Sequence, residues 1–243
     1  MKKLIGLIIA LSASRIGLED RSSLSLRFVI WNIGQGQWTT MISKNFCDHY
    51  DMGGEIDLSR RILHECEGRQ HRLHISHWDW DHMGLVQNMR WRGASICLWN
   101  YPLGPASSRK KRTLEGLPAC QALVPYRSIF SGDRSPKASS NDSSQVVLVA
   151  GILIPGDSTK KEERRWALST QIHFAHGIVL GHHGSRSSTS DYLLDQLPGL
   201  QWAVATARRK RYGHPHPEVI QRLRDYKIPL LITEDWGNLV FEL

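Results

Sequence analysis

No two of the four cysteines, Cys47, Cys66, Cys97 and Cys120, stand in Cys-x-x-Cys spacing. A cysteine zinc site is therefore not indicated, and the four read as scattered core or surface thiols rather than as a disulfide framework. Long apolar runs are missing too. The longest, Leu4 to Ala13, falls well short of the roughly 20 residues that cross a bilayer, so no stable membrane span is expected. No internal sequence period marks a solenoid or repeat array, although two halves of a fold can be alike without one. Acidic residues are in deficit, 23 against 31 Lys and Arg, for a formal net charge of +8. That balance favours an anionic partner, nucleic acid first, although many basic proteins bind none.

A hydrophobic fraction of 41% with nine tryptophans, over 243 residues, excludes a disordered chain and leaves room for a substantial core. Lys2 and Lys3 precede the Leu4–Ala13 run, and Ser12-Ala13-Ser14 follows before Arg15. A positive start, an apolar segment and small residues read as a signal peptide over 1–14, with a buried first strand or helix as the alternative. Its removal takes two lysines and leaves the charge at +6. Residues 15–23 are polar and read as a linker, and 24–243 as the folded domain.

Within that domain, short apolar runs alternate with turn residues and amphipathic stretches. Strands are expected over Leu24–Ile33, Trp38–Ser43, Phe46–Met52, His71–Ser76, Ala94–Trp99, Gln145–Gly151, Ile152–Asp157, Gly177–Gly181, Trp202–Thr206, Pro229–Thr233 and Asn238–Leu243. Helices are expected over Asp57–Cys66, His82–Met89, Lys160–Ser169, Tyr192–Leu197 and Pro217–Tyr226, the last with proline in its first turn. The pattern is weak from Tyr101 to Leu123, and Ser131–Ser144 must be loop.

The stretch with the most chemistry is Leu73 to Gly84, Leu-His-Ile-Ser-His-Trp-Asp-Trp-Asp-His-Met-Gly. An apolar strand ends at Ser76, and His77, Asp79, Asp81 and His82 follow within six positions. Imidazole mixed with carboxylate suits zinc, manganese or iron, and so dense a set can serve two ions. The alternative is a polar loop with solvated histidines.

This pattern resembles the metallo-β-lactamase superfamily signature His-x-His-x-Asp-His. It is closer to the variant His-x-Asp-x-Asp-His of the hydrolase-like domain of ComEC-type competence proteins. Those proteins carry Asp-Val-Gly-Gln-Gly-Asp on the first hairpin, where this chain has Asn32-Ile33-Gly34-Gln35-Gly36-Gln37, both outer aspartates having become amides. An Asp-x-Gly element follows, here Asp51-Met52-Gly53-Gly54. Asn141-Asp142-Ser143-Ser144 resembles the family's Asn-x-x-Ser, Gly181-His182-His183-Gly184-Ser185 contains its His-His-Gly-Ser, and Arg211 to Pro217 matches its Arg-Tyr-Gly-His-Pro-His-Pro in full. The resemblance runs from about Leu24 to the C-terminus. It implies an α/β (α+β) fold, an αββα sandwich of two mixed sheets flanked by helices, with the site at one sheet edge.

It also implies two divalent metal ions, zinc or manganese, on His77, Asp79, Asp81, His82, Asp157 and His182. Asp157 would bridge them, against its reading as a turn aspartate. One of His182 and His183 closes the second site; His182 is favoured, with His183 left to contact substrate or leaving group. Asp81, His183 and His214 are the candidate catalytic residues. Asn141, Ser185, Arg211 and His216 are candidates for substrate contact, although Asn141 also fits an ordinary loop and Ser185 a helix cap. Basic clusters at Arg109–Arg112 and Arg208–Arg211 could grip phosphates or simply be solvated. The expected activity is hydrolysis of DNA phosphodiesters by metal-activated hydroxide, in an exported protein, with no Ser or Cys nucleophile needed. No channel segment of the kind joined to this domain in competence proteins is read here, so scavenging or defence fits as well as uptake. The alternatives are a hydrolase of small substrates (a phosphocholine ester, a lactone or a β-lactam) and a non-catalytic DNA-binding module.

Overall fold

The computed structural model describes residues 26–121, 124–135 and 137–243. The signal-peptide and linker readings lie outside these residues. Among the described residues, twelve strands form two six-stranded sheets. The first contains β1 (Arg27–Ile30), β2 (Thr39–Ile42), β3 (Phe46–Tyr50), β4 (Gln70–His74), β5 (Ile96–Leu98) and, from the far end of the chain, β12 (Leu239–Glu242). Its order is β12-β1-β2-β3-β4-β5. The second contains β6 (Arg127–Phe130), β7 (Val146–Val149), β8 (Ile152–Ile154), β9 (Gly177–Val179), β10 (Trp202–Ala205) and β11 (Leu230–Ile232), in the order β11-β10-β9-β8-β7-β6. Both sheets are mixed: antiparallel from β12 to β3 and from β6 to β8, parallel from β3 to β5 and from β8 to β11.

Three apolar clusters show why the strands read as apolar runs rather than strict alternations. Phe28, Ile30, Met41, Val147, Val149 and Ile154 pack between the sheets. Val29, Trp31, Ile42 and Leu73 pack outward with Ile62, Val86 and Met89 from the helices Ser59–Glu65 and Val86–Trp91. The helices Lys160–Trp166, Asp191–Asp195 and Pro217–Asp225 cover the second sheet through Trp166, Leu193, Leu194, Val219 and Leu223. A sheet buried on both faces needs apolar side chains at both parities. The layering is helix, sheet, sheet, helix, as the motifs imply.

Local differences from the sequence reading have simple causes. The weak stretch after Tyr101 contains the helix Ser108–Leu114, whose N-cap Ser107 accepts from Lys110 N. Its basic outer face leaves only Thr113 and Leu114 buried, too little for an amphipathic signal. The expected helix over His82–Met89 is two short helices, Trp80–Met83 and Val86–Trp91, broken at Gly84 and Leu85. Among the described residues, no helix is long and apolar enough to cross a membrane.

The cysteine reading is corrected. Cys47 is joined to Cys66, and Cys97 to Cys120, and no free cysteine remains. Spacing alone could not show this, because Cys66 meets β3 only when the helix Ser59–Glu65 packs on the sheet, and Cys120 meets β5 only through the bridge between Leu98 and Ala119. The Cys97–Cys120 pair closes a loop of sequence separation 23 around the exposed helix Ser108–Leu114. Loop-closure entropy for that length is about 3 kcal/mol. The double variant Cys97→Ser/Cys120→Ser should lose about that much unfolding free energy in a urea titration; a loss below about 1 kcal/mol would show that the bridge constrains little.

Candidate metal centre

The loop after β4 leaves the sheet beside the loops after β8 and β9, so three strand ends deliver their side chains to one place. This is the carboxyl end of the parallel portion of each sheet, where α/β proteins place their sites. His77, Asp79, Asp81 and His82 come from the first loop, Asp157 from the second, and His182 and His183 from the third.

Four histidines point Nε2 at this centre, each with Nδ1 near a polar side chain. His77 Nδ1 lies 2.9 Å from Ser76 Oγ, and His82 Nδ1 2.7 Å from Asp51 Oδ2. His183 Nδ1 lies 3.3 Å from Thr206 Oγ1, and His182 Nδ1 3.4 Å from both Asn141 Nδ2 and Ser187 Oγ. Around Asp157 the Nε2 atoms gather: His82 at 3.0 Å and His183 at 3.7 Å from Oδ1, His182 at 3.6 Å and His77 at 3.9 Å from Oδ2. Asp81 Oδ2 lies 3.2 Å from His183 Nε2, and Asp79 Oδ2 3.4 Å from His77 Nε2.

These contacts fit divalent ions. His77 Nε2 and Asp157 Oδ1 are buried and make no hydrogen bond, even though His82 Nε2 stands 3.0 Å from that oxygen. Ligand atoms that crowd together yet miss one another's hydrogen-bond lines are aimed at a shared third point. Two groups of close ligand atoms form: His77 with His82 and Asp157, and Asp81 with His82 and His183, where His183 Nε2 also stands at hydrogen-bond distance from Asp81 Oδ2 and His82 Nε2.

The backbone of the third loop is unusual. His182 and His183 both lie in the left-handed region, with φ of 49° and 55°. Such conformations are rare for residues with a Cβ and collect at functional sites. They turn two consecutive side chains to opposite ends of the centre. His183 is buried and joins Asp81 and His82, whereas His182 stays part-exposed beside Asn141. It is thus His183, not the favoured His182, that lies beside Asp81 and His82, a distinction that adjacent identical residues could not reveal.

Charge is strongly redistributed. Burial works against the Asp81 carboxylate, but His183 and His82 hold its pKa down to about 2. Asp79 is held below the usual carboxylate range by His77 and by Lys110, whose Nζ lies 3.0 Å from Oδ1. Burial also works to strip the proton from His82. The carboxylates of Asp157 and Asp51 outweigh it and hold that imidazole well above its ordinary value.

Other expected residues fall around this centre. His214 Nδ1 lies 3.3 Å from Gln35 Nε2, in an open cleft of about 460 Å³ shared with Asp81, His182, His183, Trp80 and Glu55. Burial and the neighbouring His182 and His183 lower its pKa to about 4. Ser185 Oγ turns to Ser187, and the following helix is capped by Ser190 instead. His216 Nδ1 accepts from Glu218 N and caps the helix Pro217–Asp225. Arg211 and Arg208 both bind Glu55, at 2.6 and 3.0 Å, and Arg209 binds Asp235, so that basic cluster is largely paired. The other cluster lies on the helix Ser108–Leu114, with Lys110 on Asp79 and Arg109 over the half-exposed Trp80 ring at 5.2 Å.

The comparisons with known proteins agree with this geometry. Over 90% of this chain and 100% of the other, the fold matches a metallo-β-lactamase fold protein, YhfI from Bacillus subtilis, at a TM-score of 0.56 and 11% identity. This is a metallo-β-lactamase fold. In sequence the chain is 31% identical over 226 residues to recombination protein 2 of Haemophilus influenzae, covering 81% of this chain and 26% of that protein. It is 26% identical over 228 residues to competence protein ComA of Neisseria gonorrhoeae, covering 88% of this chain and 32% of that protein. The relation to ComEC-type competence proteins drawn from the motifs therefore holds. The chain spans less than a third of the length of either relative. No protein-family profile matches it.

Sequence reasoning assigned no role to Asp51, yet in this metallo-β-lactamase fold it orients the centre. Fully buried, its carboxylate accepts from Ser76 N, Ser76 Oγ and Gln37 Nε2 and contacts His82 Nδ1. The Asp-Met-Gly-Gly element was the available signal. Lys110 was visible only as one member of a basic run, and Thr206 gave no signal.

A carboxylate behind a metal-binding imidazole fixes its tautomer, and its loss typically costs 10- to 100-fold in metal affinity. Asp51→Asn should weaken zinc binding by about that factor in a chelator competition, and an unchanged affinity would remove Asp51 from this role. Metal must also displace the His82 Nε2 proton. Below the raised pKa of that imidazole, zinc affinity should rise about tenfold per pH unit, with one proton released per ion at that position, and should level off above it. Calorimetry in buffers of differing ionisation enthalpy measures that release.

Proposed function

We propose that the chain is a metal-dependent hydrolase whose substrate is a DNA phosphodiester. The observation that carries this reading is the convergence of four histidine Nε2 atoms on the buried Asp157, flanked by Asp79 and Asp81. His77, Asp79, Asp157 and His182 would hold one ion, and Asp81, His82, His183 and Asp157 the other. This gives the closing position to His183. Divalent ions held there would supply hydroxide near neutral pH and would offset charge on the substrate oxygens.

The protein's own groups do the rest. Ser76, Asp51 and Thr206 hold the imidazoles so that Nε2 faces inward. Neutral His214 accepts at Nδ1 from Gln35 and presents Nε2–H to the cleft as a donor to a leaving oxygen. Asn141 borders the His182 end. The helix Ser108–Leu114 places Lys110 on Asp79 and Arg109 over Trp80, where phosphates of a strand crossing the centre would lie. Trp80, 40% exposed beside Asp81, offers a face on which a base can stack. A polyanionic substrate is favoured over a small neutral one because these groups have no use with the latter. The similarity to proteins named for competence and recombination supports the same class.

We place the protein outside the reducing cytoplasm. Two disulfides with no free thiol belong to oxidising compartments, and the N-terminal reading of an export signal agrees.

The test is cleavage of single- and double-stranded DNA by the full chain with manganese or zinc, alongside metal content by mass spectrometry. The expected result is about two ions per chain, with cleavage falling at least about 10³-fold in Asp81→Ala and Asp157→Ala. Bound metal without cleavage of any nucleic acid would turn the reading to a small-substrate hydrolase, and no bound metal would leave a binding module.

A further inference from the structure

A second constellation of ligand-type side chains lies away from this centre, on the face of the first sheet covered by the helix Ser59–Glu65. Cys47 and His49 are two residues apart on β3 and share a face. His71 on β4 pairs directly with Cys47 in the parallel register, and Cys66 closes the helix as its C-cap. All four are buried. His49 Nε2 stands 3.0 Å from His71 Nδ1, and these histidines and Cys66 offer ligand atoms within 4.8 Å of one another. Cys47 is bonded to Cys66 and so holds a second sulfur one bond away from that group. His71 and His77 are six positions apart along β4 and the loop that continues it, a reach of up to about 20 Å.

We infer that Cys47, His49, Cys66 and His71 form a second metal site of two thiolates and two imidazoles, selective for zinc, which the Cys47–Cys66 disulfide closes and a dithiol opens. A tetrahedral set of two sulfurs and two nitrogens is characteristic of zinc. Around such an ion, ligand atoms stand about 3.3 to 3.8 Å apart, so the imidazole nitrogens need to part by only a few tenths of an ångström.

The disulfide-bonded state shows what the metal would replace. The two rings lie within 11° of one plane, and the Nε2–Nδ1 contact is a hydrogen bond that holds a proton between them. Trp38 Nε1–H donates to His49 Nδ1 at 3.2 Å, so the shared proton starts on His49 Nε2. On metal binding that proton passes to Nδ1, where Thr40 Oγ1 at 2.9 Å accepts it, and the Trp38 bond is given up. The dithiol reduces the disulfide by exchange and becomes a disulfide itself, leaving two thiols. The incoming ion displaces both thiol protons to solvent. A surface cleft of about 400 Å³ reaches Cys66 and His71 and provides the access path. Arg69 and Arg92 at its mouth are engaged with the Ser43 carbonyl and with Asp57. The Cys97–Cys120 pair belongs to no such group among the described residues.

Cobalt(II) tests this without reference to activity, because the catalytic centre contains no sulfur. The full chain is titrated with cobalt before and after reduction with a dithiol. The reduced chain should take one cobalt more than the oxidised chain and gain a near-ultraviolet thiolate-to-cobalt charge-transfer band. Cys97→Ser/Cys120→Ser should keep that band, Cys47→Ser/Cys66→Ser should lose it, and His71→Ala should weaken the extra binding at least tenfold. A reduced chain that stays folded by circular dichroism yet takes no additional cobalt would overturn the inference. So would a band that survives Cys47→Ser/Cys66→Ser, or a reduced chain that unfolds and is not refolded by zinc.

Discussion

The structure turns on one buried carboxylate. Asp51 ends β3 with φ of 58°, and from there it reaches the first hairpin through Gln37, the strand end through Ser76, and the metal loop through His82. Backbone bonds run beside it: Gln37 N to Asp81 O, Met52 N to His82 O, and Leu85 N to Met52 O. The hairpin can come this close only where side chains are missing. A Cβ on Gly53 would stand 2.3 Å from the Asp81 carbonyl carbon, and one on Gly36 2.6 Å from its oxygen. The glycine-rich elements at residues 34–36 and 53–54 are therefore seats for the loop that carries the ligands, and Asp51 locks the loop into its seat.

A centre so built carries much unsatisfied charge by design. Four imidazoles crowd around Asp157, and the protein meets the desolvation of these groups by pairing carboxylate with imidazole and by giving each Nδ1 a fixed polar neighbour. The surroundings then divide the work. Lys110 and the helix beneath it bring positive charge to one side, whereas the arginines beyond His183 are held by Glu55 and Asp235. Two clusters that look equivalent as strings of Arg and Lys are unequal in space: among the described residues, carboxylates hold Arg208, Arg209 and Arg211 of one but only Lys110 of the other.

Much of this is legible in the sequence. The His-x-Asp-x-Asp-His spacing, the isolated Asp157 after an apolar strand, and the His-His-Gly-Ser element each report a strand that stops and a loop that carries ligands. Strand positions followed from short apolar runs, which a doubly covered sheet requires. The helix Ser108–Leu114 escaped notice because its exposed face is nearly all basic, and the disulfides because cysteines 19 and 23 residues apart carry no pairing signal. Asp51 stood in a noted motif without a role, since nothing in a linear string says which imidazole a carboxylate will face.

By itself the sequence determined the kinds of ligand and the strands that end at them, because these depend on residue chemistry and on the period of local structure, whereas the layered class of fold followed from the resemblance of its motifs. Tertiary structure alone decided which of two adjacent histidines joins Asp81, through a pair of left-handed residues whose cost only the assembled loop sustains. It decided that Cys47 meets Cys66 through the packing of the helix Ser59–Glu65, beside two hydrogen-bonded imidazoles brought together by the register of β3 against β4. These outcomes depend on distances between residues far apart in the chain, and only the closed sheets set such distances.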